Sequence, residues 1–107
     1  PHIAGFTLLG GEPFEEENRD DILELLKHIK KECPTKSIWV YSSFLYEEIM
    51  EWKQPLLDYV DVLVDGPFVN ELKDANLKFR GSSNQRIIDI KKTKENKEIT
   101  LVEFKEI

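Results

Sequence analysis

Apolar residues arrive along the first two thirds of this chain in three short runs, each closed by glycine or small polar residues. Residues 3–9 are apolar around Gly5 and Thr7 and stop at Gly10 and Gly11, which suits a strand buried on both faces. Residues 37–41 (Ser, Ile, Trp, Val, Tyr) favour a second strand, and residues 60–64 a third that runs into Asp65 and Gly66. Between the first two, Ile22, Leu25, Leu26 and Ile29 recur as one face of a helix. Its acids come first and Lys27, Lys30 and Lys31 last, complementing the helix dipole, and Cys33 and Pro34 stop it. Leu45, Ile49 and Trp52 mark a shorter helix that ends near Pro55. Strand, helix, strand, helix, strand predicts an α/β fold with a parallel sheet and crossover helices.

Beyond Gly66 the periodicity fades. Residues 66–86 read as a long polar connection with a short helix at 69–73, and a polar loop of that length inside a compact domain is usually functional or disordered. Residues 86–90 and 99–104 read as the strands of a C-terminal β-hairpin, with the charged stretch 91–98 as its turn. The expected organisation is one domain, 1–107: a βαβαβ core at 3–65, a polar functional loop at 66–86 and C-terminal strands at 87–107.

Composition narrows the function classes. At 107 residues, 40% hydrophobic and 34% charged, the chain is a globular domain that buries roughly two thirds of its unfolded surface around a single core. Its net charge of -6 argues against a nonspecific nucleic-acid binder. That charge is local: Glu12, Glu15, Glu16, Glu17, Asp20 and Asp21 against Arg19 carry -5, leaving -1 for the rest. One cysteine, Cys33, excludes an internal disulfide and any all-cysteine metal site drawn from these residues, and fits a reducing, cytoplasmic setting. No apolar run is long enough to span a membrane.

Ligands of parallel α/β sheets bind beyond the carboxyl ends of the strands, where three candidate segments fall together. Gly10, Gly11, Glu12 and Pro13 follow the first strand, Ser42 and Ser43 the second, Asp65 and Gly66 the third. Adjacent glycines let backbone approach a ligand, and a neighbouring carboxylate accepts from an ammonium group, which suits an amino-acid-like ligand. Asp65 adds an acceptor for hydroxyls or amines, and Ser42 a hydroxyl for a carboxylate or a ribose. Arg80 offers a counterion for a ligand carboxylate, with Ser82, Ser83, Asn84 and Gln85 beside it. Taken singly, each glycine pair or Asp-Gly is an ordinary turn. Trp39 and Trp52 fall in strand and helix patterns and read as core; Cys33 reads as a half-buried structural thiol.

Three blocks, LLGGEPFEEENRDDILELL (8–26), IWVYSSF (38–44) and LLDYVDVLVDGPFVNELKDANLKFRGSSNQRIID (56–89), resemble the family of anaerobic ribonucleotide reductase activating proteins, which are radical S-adenosylmethionine enzymes. The similarity covers roughly residues 5 to 90, and the third block is the most specific. The resemblance implies a truncated partial (β/α) barrel of radical S-adenosylmethionine type, with three parallel βα units, a polar loop and the C-terminal hairpin. It implies a [4Fe-4S] cluster held by a CxxxCxxC loop, with S-adenosylmethionine chelated to its fourth iron. Reductive cleavage would give a 5'-deoxyadenosyl radical that removes a hydrogen from a glycine of the partner, the large subunit of anaerobic ribonucleoside-triphosphate reductase. Gly10, Gly11 and Glu12 match the Gly-Gly-Glu motif that contacts the methionine amino group. Ser42 matches the family's threonine or serine, while Ser43 replaces its usual glycine. Asp65 matches a cofactor-facing position; Arg80, Ser82 and Asn84 lie in an Arg-Gly-Ser-Ser-Asn-Gln segment that contacts either cofactor or partner.

The family's CxxxCxxC is absent, and Cys33 matches a noncluster position. The chain begins at what would be the second barrel strand, so a C-terminal fragment of a longer activase is expected, inert by itself. The edge left by the missing strand would favour a dimer. Two other readings fit the same residues: a noncatalytic domain that binds S-adenosylmethionine or the reductase, and an activase of another glycyl radical enzyme such as pyruvate formate-lyase. The segment 80–86 argues against the latter.

Overall fold

Among the described residues four strands form one sheet in the order β1 (Gly5–Leu8), β2 (Ser37–Tyr41), β3 (Val62–Asp65), β4 (Arg86–Asp89). The structure is a computed structural model and describes residues 5–8, 14–74, 76 and 82–102. The first three strands are parallel, with Thr7 opposite Trp39 and Trp39 opposite Val62. β4 runs antiparallel to β3, setting Asp65 opposite Arg86 and Val62 opposite Asp89.

Alternation along β2 sorts the sheet's two faces. Ile38 and Val40 point to one side with Leu63 and Ile88, and there the helices pack: α1 (Arg19–Glu32) through Leu26 and Ile29, α2 (Tyr46–Ile49) through Ile49, and the 3-10 turn Leu56–Tyr59 through Leu56 and Leu57. Phe14, wholly buried, completes this larger core. On the opposite face Val62, Val64 and Ile87 form a smaller cluster with Trp39, Tyr41 and Val102. Partial burial there pushes the Tyr41 phenol above its ordinary pKa. Because both faces are covered, β3 is buried at every position, which is why its sequence is an unbroken Val-Leu-Val run.

The amino edge of the sheet is fastened by charge. Lys30, in the last turn of α1, meets the Asp61 carboxylate at 2.8 Å, and the same oxygen accepts the Ile38 N–H at 2.6 Å. One carboxylate therefore ties the helix end to the starts of β2 and β3. Cys33 caps α1, its N–H donating to the Ile29 carbonyl, and is half-buried. It lies just before β2, at the edge remote from the carboxyl ends of the strands.

The chain is a mixed α/β domain, and two expectations need correcting. The stretch 91–98 is not a hairpin turn: α3 (Ile90–Asn96) occupies it. Asp89 accepts the Lys92 N–H at 2.9 Å as an N-cap, Ile90 and Thr93 bury one face, and Lys97 ends the helix in the left-handed conformation. The returning segment does lie antiparallel to β4, among the described residues through the bridge Ile88 to Leu101, with the Asp89 N–H on the Thr100 carbonyl and the Val102 N–H on the Ile87 carbonyl. The other correction concerns the third βα unit. Among the described residues β3 is followed by the short 3-10 turn Asn70–Leu72, and the antiparallel β4 then takes the position where a barrel would continue with a parallel strand.

Candidate functional site at the carboxyl edge of the sheet

The loop leaving β2 is laced to the end of β3 by three consecutive residues. Ser42 N–H donates to the Val64 carbonyl (3.0 Å), Tyr46 N–H to the Asp65 carboxylate (2.8 Å), and Gly66 N–H to the Phe44 carbonyl (3.4 Å). Ser42 is buried and its Oγ accepts the Phe44 N–H at 3.1 Å, closing a tight turn. Gly66 has φ +95, in the left-handed region where a side chain is strained, and this is why glycine follows Asp65.

A second lacing joins the end of β3 to the polar segment. Asn84 donates to the Pro67 carbonyl at 2.8 Å and Gln85 to the Gly66 carbonyl at 3.0 Å. Ser82, fully buried, donates to Asn84 Oδ1 at 2.6 Å, accepts the Val69 N–H, and its own N–H meets Gln85 Oε1. The Ser-Ser-Asn-Gln stretch thus folds against 66–73 largely by side chain to backbone bonds.

Asp65 stands where the two lacings meet. It is completely buried, and besides the Tyr46 N–H it accepts two hydrogen bonds from Arg86, Nε to Oδ1 at 3.0 Å and Nη2 to Oδ2. Arg86 reaches on to Glu47 in the first turn of α2, Nη2 to Oε1 at 2.7 Å. Its bond to Asp65, and next that to Glu47, hold the guanidinium well above its ordinary pKa, while the Arg86 hydrogen bond holds Glu47 below the usual carboxylate value. Burying Asp65 is tolerable because a fixed bidentate partner and a backbone N–H take up its charge.

On the helix side of this edge lies an aromatic cluster. Phe44 and Phe14 meet the Trp52 ring edge-on, with centroids 4.9 and 6.0 Å away, and the Arg19 guanidinium sits 3.4 Å from the Trp52 centroid while its Nε donates to the Phe14 carbonyl at 3.0 Å. Arg19 opens α1 beside Asp20 and Asp21, at the helix end that disfavours a cation; the π face and the carbonyl offset that.

Of the residues expected at the site, Ser42, Asp65, Ser82 and Asn84 are brought to this one edge, joined by the bonds above. Gly10, Gly11, Glu12 and Arg80 lie outside the described residues. Arg86, Glu47 and Arg19 were missed from sequence. An arginine opening an apolar strand signals a need for a counter-charge, but nothing local points to a partner 21 positions away. The iron-sulfur cluster does not fit this chain: such clusters need several thiolates, the sequence has one, and Cys33 lies at the opposite edge. Among the described residues no three of His, Cys, Asp and Glu are grouped to hold a metal, and no helix is long and apolar enough to cross a membrane.

Residues 1–88 match the family described as 4Fe-4S single cluster domain. The chain belongs to this family. Relatives named anaerobic ribonucleoside-triphosphate reductase-activating protein include those of Escherichia coli, 46% identical over 81 residues (76% of this chain, 53% of that protein), and Salmonella typhimurium, 45% over 84 residues (78% and 54%). That of Vibrio cholerae is 43% identical over 83 residues (78% and 54%). The chain spans about half the length of the curated relatives it matches. No solved structure matches it significantly. Membership of an iron-sulfur family by a chain with a single thiol is the central discrepancy of the site.

Proposed function

We propose that this chain is the C-terminal portion of a radical S-adenosylmethionine activase that installs the glycyl radical on the large subunit of anaerobic ribonucleoside-triphosphate reductase in the cytoplasm. The observation that carries the reading is sustained identity to reductase-activating proteins across about three quarters of the chain. In this reading the fold is part of a (β/α) barrel, and the carboxyl edge of β2 and β3 faces S-adenosylmethionine. Gly10, Gly11 and Glu12 receive the methionine amino group, Arg80 its carboxylate, and Ser42 belongs to the same cofactor edge. Asp65, Ser82 and Asn84 shape that edge, since their polar atoms already hold neighbouring segments. The cluster thiolates come from residues other than these, so the chain alone does no radical chemistry. A noncatalytic module that keeps the cofactor edge is the second reading, favoured by the single thiol. The outer edge of β1 offers a second copy a strand to pair with.

The test of the edge is calorimetric. Glu12→Ala should weaken S-adenosylmethionine binding by roughly 1.5 to 3 kcal/mol, the worth of a hydrogen bond to a charged group. Unchanged affinity would remove Glu12 from the site.

A further inference from the structure

We propose that Arg86 is a positioning residue for the ligand edge: through Asp65 and Glu47 it fixes the loop 42–46 that carries Ser42 and couples it to the polar segment 82–85. The inference rests on the reading of this edge as the S-adenosylmethionine site, and adds a residue that touches no ligand.

Arg86 belongs to β4, at the end of the polar segment, yet both of its ion-pair partners lie elsewhere, on the end of β3 and the first turn of α2. Its guanidinium is planar, so a fork that bonds Asp65 through Nε and Nη2 while Nη2 also reaches Glu47 sets the angle between β3 and the start of α2. Asp65 in turn holds the Tyr46 N–H at 2.8 Å. The loop 42–46 is also tied to the end of β3 through backbone, Ser42 N–H to Val64 at 3.0 Å and Gly66 N–H to Phe44 at a longer 3.4 Å. The bond at Tyr46 is made to a side chain, so its position depends on that side chain's partner. On the other flank, Asn84 and Gln85 donate to Pro67 and Gly66, immediately after Asp65. A shift of Asp65 is therefore transmitted to Ser42 on one side and to Asn84 on the other. Strand pairing of β4 with β3 would survive the loss of the guanidinium, because it is made by backbone. That separates a positioning role from a purely architectural one.

The experiment compares Arg86→Lys and Glu47→Gln with the unsubstituted chain. Lysine keeps the charge and the stem but cannot form the fork; Glu47→Gln leaves the Asp65 bonds in place and serves if Arg86→Lys fails to fold. Amide hydrogen exchange without ligand reads the loop directly: the Tyr46 amide should lose protection in Arg86→Lys, while amides of the β3–β4 ladder keep theirs. S-adenosylmethionine affinity of the same variant should fall about tenfold, the lower end of what losing an orienting outer partner costs. Glu47→Gln should give a smaller change of the same sign in both. Unchanged Tyr46 protection in folded Arg86→Lys overturns the proposal. Loosened amides with unchanged affinity overturn the assignment of Arg86 to the ligand edge. Failure of the unsubstituted chain to bind S-adenosylmethionine counts against the ligand reading itself, and the exchange result then decides the coupling alone.

Discussion

Asp65→Ala is expected to cost about 3 kcal/mol of stability, the low end for breaking a buried ion pair by removing one partner. The carboxylate is wholly buried and takes Arg86 and the Tyr46 N–H together. Without it the guanidinium, some 30% exposed, keeps Glu47 and what water reaches it, and the Tyr46 N–H at the start of α2 loses its acceptor. Asp65→Asn retains an acceptor for Tyr46 and should recover about 1 kcal/mol, the usual net worth of a hydrogen bond. Urea denaturation reads both: the midpoint should fall with an unchanged slope, since the surface exposed on unfolding stays the same. A loss below about 1 kcal/mol, a typical net hydrogen bond, would mean that Asp65 is not the junction described.

Trp52→Ala is the other large effect, again about 3 kcal/mol, the lower end for an aromatic truncated to alanine because the ring is only partly buried. The indole is the shared wall for Phe14, Phe44 and Arg19, so its removal leaves three partners without their common contact. Arg19→Ala removes the cation and the bond to Phe14 and should cost about 1 kcal/mol. Because Arg19 and Trp52 touch, their double variant should lose less than the two single losses added together. Strict additivity in thermal or urea unfolding would show that the stacking contributes nothing.

The three parallel strands and α1 were legible because their signals are local. An apolar run ending in Asp-Gly or Ser-Ser, or residues 22, 25, 26 and 29 on one stripe, needs no knowledge of the rest of the chain. The stretch 91–98 misled because its charges hide a helix with a narrow buried face, Ile90 and Thr93. The available signal was Asp89 as an N-cap ahead of lysine-rich helix formers. At the site, the rule that ligands gather at strand ends put Ser42 and Asp65 on one edge, and Ser82 and Asn84, read from sequence as neighbours of Arg80, are folded against the same edge. Sequence read Asp65 as a free acceptor, whereas the fold commits that carboxylate to Arg86 and Tyr46. Such pairings depend on the register between β3 and β4, which no local pattern specifies. Arg19 was hidden likewise: its aromatic partners come from two other segments.

In the proposed function these residues form the cofactor-facing part of a reductase activase whose cluster thiolates are supplied by other residues. Anaerobic reconstitution of the 107-residue chain with ferrous iron and sulfide, followed by iron and acid-labile sulfide analysis of the desalted protein, tests it most directly. The chain should retain no stoichiometric iron or sulfide. A four-iron, four-sulfide content per chain would contradict it, because a lone thiol at the far edge of the sheet cannot hold such a cluster.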